Sequence, residues 1–188
     1  MVRRHLLLAA SAFAVAFAFP TAAAAGVTVL GAGNARMCYL AAESKMAPRG
    51  AELKRCDEAL IEERSNPELK VATHVNRGIL RLRRGDTDGA LADFDAATAI
   101  NPEEPEAYLN RASALLRQQQ VSGAISQFNA ALAKQTRRPA LAYYGRGVAN
   151  EEAGNVGAAY RDYRRASELA PGWEEPRREL TRFRVARD

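Results

Sequence analysis

The 188-residue sequence predicts an all-α fold, a side-by-side stack of antiparallel helix pairs with a capping helix at its C-terminal end. Alanine is abundant while Phe, Trp and Tyr together make up only 7%, which favours closely packed helices over a sandwich of sheets. One stretch recurs in register three times, as Gly85–Ala97, Gln119–Ala131 and Gly154–Ala166, at offsets of 34 and then 35 residues. Pro102 and Pro171 stand where the second helix of two copies must stop, since proline lacks an amide donor and clashes with the preceding turn.

Residues 1–25 read as a cleavable signal peptide. Arg3, Arg4 and His5 make a basic start, Leu6 to Phe19 an apolar run, and Pro20 a break. Ala23-Ala24-Ala25 then offers the small residues a signal peptidase needs, with cleavage expected after Ala25. The run is shorter than the roughly 20 residues that cross a bilayer, so a retained anchor is not expected. Arg3-Arg4 faintly resembles a twin-arginine signal, but so short a leader fits the general secretory route better. The chain is therefore expected to be exported, with the bacterial periplasm as its compartment. Losing Arg3 and Arg4 lowers the formal charge from +5 to +3, too little on mixed-sign helices to argue for nucleic acid. No later apolar stretch is long enough to span a membrane.

Residues 26–34 are expected to be a flexible start of the mature chain. Their Gly31-x-Gly33 lacks the third glycine of a dinucleotide fingerprint, because Arg36 stands in its place. Residues 35–70 read as a divergent helical hairpin, with Ala35 to Met46 and Ala51 to Arg64 flanking a Pro48-Arg49-Gly50 turn. Cys38 and Cys56 lie nine residues either side of Ala47, so they sit at one height on two antiparallel helices. In an exported protein with only these two cysteines, a structural disulfide is the expectation. Closing such a loop stabilises by roughly 3 kcal/mol, less any strain. Buried reduced thiols and a redox pair are the alternatives, the second needing a closer spacing.

Three units follow, at 71–104, 105–139 and 140–172. Position 8 of the unit is Gly78, Ala112 and Gly147; position 20 is Ala90, Ala124 and Ala159. Position 24 is Phe94, Phe128 and Tyr163, and position 27 is Ala97, Ala131 and Ala166. This pattern resembles the tetratricopeptide repeat (TPR) family over about residues 71–173. Thr136, where the middle unit lacks proline, and Arg77, Arg111 and Arg146 at position 7, where Leu is usual, depart from it. Small residues let the paired helices approach, and the aromatic fills the gap to the next helix. Each hairpin leaves an apolar side that only a neighbour covers, so at least three must stack. The resemblance implies a right-handed superhelical solenoid and a non-enzymatic protein-interaction module.

It also implies that the first helices of successive pairs line a concave groove for a peptide or protein segment. The matching residues are Ala72, Val75, Ile79 and Leu82 in the first unit, then Glu106, Leu109, Ser113 and Leu116, then Leu141, Tyr144, Val148 and Glu151. Exposed, that lining is more apolar than a surface should be, which marks a partner site. Asn76 and Asn110 hold position 6, where an amide can donate to and accept from a peptide backbone. The third unit has Gly145 there and no lysines occupy the groove, so a full carboxylate clamp is not expected. Two other occupants stay open, the chain's own residues 26–34 and a second copy; a homo-oligomer or an assembly subunit is the alternative function. Position 23 carries Asp93, Gln127 and Asp162, at the height of position 7 across the turn. Arg77–Asp93 and Arg146–Asp162 are thus expected to pair within their hairpins, with ligand contact as the other possibility.

Trp173 to about Arg187 completes the stack as the capping helix of residues 173–188. Trp173, Leu180 and Phe183 fall near one face, with Arg177, Arg178 and Arg182 mostly on a solvated one. Catalysis, cofactors and metals are not expected. The mature chain has one histidine, His74, and two distant cysteines, short of the four clustered ligands of a zinc site. No nucleophile elbow, P-loop or His-Glu-x-x-His motif occurs.

Overall fold

A computed structural model describes residues 26–29, 33–62 and 65–183. The signal-peptide reading of residues 1–25 lies outside the described residues. Among these, nine helices follow one another in antiparallel pairs: α1 (Asn34–Glu43) with α2 (Gly50–Glu62), α3 (Pro67–Arg83) with α4 (Thr87–Ile100), α5 (Pro105–Arg117) with α6 (Val121–Ala133), and α7 (Pro139–Glu152) with α8 (Val156–Leu169). A short α9 (Glu174–Leu180) closes the array. Each second helix packs on the first helix of the next pair, so the hairpins lie side by side. The architecture is the all-α repeat solenoid that the repeats predict.

Local chemistry sets the helix ends. Pro67, Pro105 and Pro139 open the first helices, where a missing amide donor costs nothing. The side chains of Asn66 and Asp86 accept the otherwise orphaned amides of Leu69 and Gly89, at 3.0 and 2.9 Å. Each repeat hairpin turns through a left-handed residue, Gly85 (φ 85°), Gln119 (φ 59°) or Gly154 (φ 77°). Glycine adopts this backbone freely, whereas Gln119 does so against its own Cβ.

The stack is tight because small residues sit beneath the aromatic of position 24. A Cβ on Gly78 would come within 2.5 Å of the Phe94 ring, and one on Gly147 within 2.9 Å of Tyr163. Ala112 is fully buried in the corresponding place. Phe128 instead presses on Gly145 of the next hairpin, with 2.4 Å between its ring and where a Cβ would be.

The position 7 arginines pair as expected and also reach further. Arg77 grips Asp93 at 2.7 and 3.0 Å, and Arg146 grips Asp162 at 2.6 and 2.9 Å. Each also extends to the second helix of the preceding pair, Arg77 to Asp57 and Arg146 to Asn129, both at 2.6 Å. Arg111, whose own hairpin offers Gln127, bonds Asp95 of the preceding pair at 2.6 Å. The arginine therefore clamps neighbouring hairpins together. Asp93 is the most heavily used carboxylate, joined by His74 (2.9 Å), Arg77 and Arg81 (2.8 Å) while only 2% exposed. Burial works to raise its pKa, but hydrogen bonds from His74 and Arg77 and the charges of Arg77 and Arg81 outweigh it and hold the carboxyl below its usual range.

Several expectations change at the ends. Residues 26–29 are not a loose start: Val29 is 2% exposed, packed among Ala35, Ala59 and Ala72. Helix α1 ends at Glu43, three residues before Met46, where Ser44 turns to an extended conformation. Helix α9 covers Glu174–Leu180 rather than running on from Trp173, and Thr181–Phe183 leave it by turns; residues 184–188 lie outside the described residues. Trp173, Leu180 and Phe183 still pack against the last core cluster, Trp173 at 4.8 Å from Tyr144 and Phe183 at 5.9 Å from Tyr163. The Cys38 and Cys56 sulfurs, both fully buried, stand 2.08 Å apart, with their Cα atoms 5.0 Å apart.

Candidate functional site

The first helices α3, α5 and α7 carry the side chains expected to line the concave face, and most of these are buried. Val75, Asn76, Ile79 and Leu82 on α3, Glu106, Leu109, Asn110 and Leu116 on α5, and Tyr144 and Val148 on α7 are all below a tenth exposed. Ser113 and Leu141 are half-buried. The expectation of an exposed apolar lining is thus corrected. In the first unit the reason is plain: Val75, Ile79 and Leu82 share one cluster with Cys38 and Ala42 of α1, and Val27 packs against it. In the third, Tyr144 lies against Trp173 and Tyr163, and burial pushes its hydroxyl up to about 12.

Position 6 shows what this face can recognise. Asn76 Oδ1 accepts the Val27 amide and Asn76 Nδ2 donates to the Val27 carbonyl, both at 2.9 Å. A carboxamide matches one extended residue in this way, so it reads backbone and not side chain. The segment's alternation fits the same geometry, with Val27 half-buried, Thr28 exposed and Val29 buried. Two bonds at about 0.5–1.5 kcal/mol each and a buried valine at about 1.5–3 kcal/mol hold it there. The chain's own residues 26–29 are thus the occupant of the first unit's groove, one of the two that the sequence left open.

Position 6 of the other two units also takes part in packing. Asn110 Nδ2 donates to the Glu106 carbonyl of its own helix at 2.8 Å, and Gly145 makes room for Phe128. Glu106 proves to be an internal anchor: it accepts from Thr136 Oγ1 at 3.0 Å and the Arg137 amide at 2.8 Å, fixing the α6–α7 loop. Thr136, the residue in place of proline, therefore has a reason to be there.

Beside the docked segment lies an open cleft of about 160 Å³ lined by Gly26, Thr28, Tyr39, Glu43, Glu106, Arg137 and Arg138. Arg138, at the N-cap of α7, reaches Glu43 at the end of α1 with 2.9 and 3.2 Å bonds. The same Glu43 accepts the Gly26 amide at 3.0 Å. Sequence reasoning missed Tyr39, Glu43, Arg137 and Arg138, because α1 lies outside the repeat register and Arg138 sits in the connection before a unit. Among the described residues, no group of His, Cys, Asp and Glu is placed to hold a metal, and no helix is long and apolar enough to cross a membrane.

Comparison with known proteins agrees with this fold. The first TPR domain of Spaghetti (RPAP3), solved bound to the HSP90 peptide SRMEEVD, is 30% identical, with a TM-score of 0.57 over 60% of this chain and 88% of that one. The first TPR domain of human RPAP3 is 29% identical, with a TM-score of 0.58 over 62% and 90%. MamA from Desulfovibrio magneticus RS-1, at 22% identity, shares the fold with a TM-score of 0.61 over 78% and 81%. No curated protein matches significantly. The tetratricopeptide repeat family model matches residues 75–139 and 112–172, together a little over half of the chain. The chain belongs to the tetratricopeptide repeat family.

Proposed function

We propose that this chain is a non-enzymatic protein-interaction module, exported to the bacterial cell envelope, that binds an extended peptide or protein segment along its concave face. The observation that carries this reading is the Asn76 carboxamide bonded to both backbone atoms of Val27. It is a built device for extended backbone, and the RPAP3 domain solved with a peptide supports the same use of the fold. An outside segment would displace residues 26–29 or extend from them across Tyr39 and Arg138. Export rests on the leader-like residues 1–25, and the buried Cys38 and Cys56 at bonding distance suit an oxidising compartment.

The test is selection of displayed peptides against a mature chain in which residues 26–32 are replaced by Gly-Ser repeats. Bound peptides should be competed by a synthetic 26–32 peptide and lost on Asn76→Ala. Failure to select any peptide that depends on Asn76 would contradict the reading. Charge substitution at Val75, Leu109 or Tyr144 is a poor probe, since all three are buried and would disturb the core first.

A second reading, a subunit that self-associates or scaffolds an assembly, draws on a different observation. The large apolar side chains Met37, Leu40, Met46 and Ile61 are all at least 43% exposed, and all belong to the N-terminal hairpin. Light scattering on the mature protein separates the two: a monomer favours the peptide groove, a concentration-dependent dimer the assembly role.

A further inference from the structure

Glu43 and Asn76 close around Gly26 more tightly than a docked loop requires. The Glu43 carboxylate accepts the Gly26 amide at 3.0 Å while Arg138 holds it from the other side. A Cβ on residue 26 would fall 2.5 Å from Glu43 Oε1 and 3.1 Å from Asn76 Oδ1. A side chain at this position would push the Glu43 carboxylate aside, whereas glycine leaves it in place with the residue 26 nitrogen aimed at it. The next residue is fixed at both backbone atoms by Asn76. The position is also the first after Ala23-Ala24-Ala25, the expected cleavage motif.

We propose that the Glu43–Asn76 pocket is a receptor for a free N-terminal glycine, and that its resident ligand is the chain's own Gly26 ammonium, released when the leader is removed. The proposal rests on the export reading above. In the step itself a signal peptidase hydrolyses the Ala25–Gly26 amide with one water. Ala25 leaves with the new carboxylate, and Gly26 keeps a nitrogen that takes up protons to become an ammonium. Before cleavage that nitrogen donates one neutral hydrogen bond to Glu43. Afterwards it carries a positive charge at the same place, and the bond becomes charge-assisted, the stronger kind. Processing thereby strengthens a seat already formed, in which Gly26 lies beside Glu43, the Val27 backbone registers on Asn76 and Val29 packs among Ala35, Ala59 and Ala72. An α-amine with an ordinary pKa near 8 is charged at neutral pH, so the seat is occupied under the conditions of the envelope.

The experiment compares the mature chain beginning at Gly26 with the same chain acetylated on its Nα, each with and without Glu43→Gln. The acetyl group restores the amide that precedes cleavage, so the neutral hydrogen bond and the shape stay while the charge is removed. The amine form should melt higher than the acetylated form by about 2–4 °C, the shift that a modest stabilising contact produces in a domain of this size. In E43Q that gap should vanish. Equal melting of the two forms, or a gap of the same size in E43Q, would overturn the proposal. Intact mass of protein recovered from the periplasm gives an independent arm. A chain starting at Gly26 supports the proposal, and a start elsewhere overturns it. Either failure leaves the peptide-groove reading standing or falling on Asn76-dependent peptide binding alone.

Discussion

The first and third repeat units share one register and spend the same position in opposite ways. In the first, position 6 is Asn76, fully buried yet turned to the concave side, where it holds the backbone of residue 27. In the third it is Gly145, emptied so that Phe128 of the preceding hairpin can enter. The second unit stands between them, its Asn110 bonded to the Glu106 carbonyl of its own helix. The outer ends differ to match. The N-terminal side is covered by a hairpin with juxtaposed cysteines and an extended segment, the C-terminal side by seven helical residues and a knot of Tyr144, Tyr163, Trp173 and Phe183. One position of the repeat thus serves backbone contact in one unit and ring packing in another, while the small and aromatic positions build the stack throughout.

The largest expected effect separates the two units by their buried carboxylates. Asp93→Asn removes the partner of two arginines and a histidine and should destabilise by about 3–5 kcal/mol in chemical denaturation. Asp162→Asn, with one arginine, Arg146, and Asn150 as partners, should cost about 2 kcal/mol, the scale of hydrogen bonds to a charged group. Equal losses would erase the distinction between the hairpins. Because the folded Asp93 pKa is depressed, its contribution is present above the unfolded carboxylate value of about 4 and is lost as pH falls through the lower folded value. The acid limb of a stability–pH curve should therefore flatten in D93N.

Next come the cysteines of the N-terminal end. A Cys38→Ser/Cys56→Ser double variant should lose about 3 kcal/mol, as expected for opening a loop of 18 residues. Reduction should lower the wild type to the same level and leave the variant unmoved. If a reductant has no effect on wild-type melting, the pair carries no covalent link in the isolated protein.

Gly145→Ala sharpens the contrast at position 6. With the new methyl 2.4 Å from the Phe128 ring, overpacking should cost about 1–3 kcal/mol. Restoring the loss with Phe128→Leu would show that the ring alone excludes a side chain there. The smallest effect lies in the hairpin turns. Gln119→Gly should stabilise by about 0.5–1 kcal/mol, because Gly85 and Gly154 already satisfy the same left-handed turn. A loss of stability would mean that the Gln119 side chain holds more than its backbone conformation suggests.

Much of the stack was legible in the residues themselves. Small residues at positions 8, 20 and 27 under an aromatic at 24 can pack in few other ways, and the symmetric spacing of Cys38 and Cys56 about Ala47 anticipated their approach. The arginine–aspartate pairs followed from equal distances to a turn. What stayed hidden came from contacts that cross units. The second hand of Arg77, on Asp57, and the Arg138–Glu43 pair link different units, and no periodicity records which neighbour a long side chain will reach. The groove was misjudged for the same reason. Its apolar lining is real, but α1 and residues 26–29 cover the first unit, and a segment of alternating Val-Thr-Val beside glycines carries too little pattern to announce where it docks.

The central claim is that the concave face recognises extended backbone and is occupied by the chain's own residues. Amide hydrogen exchange at Val27, read by NMR against the exposed neighbour Thr28, tests it most directly. The Val27 amide should exchange at least about tenfold more slowly than Thr28, as one hydrogen bond of about 1.4 kcal/mol requires, and Asn76→Ala should abolish that protection while the helices keep theirs. A Val27 amide that exchanges as fast as Thr28 in the wild-type protein would contradict the account.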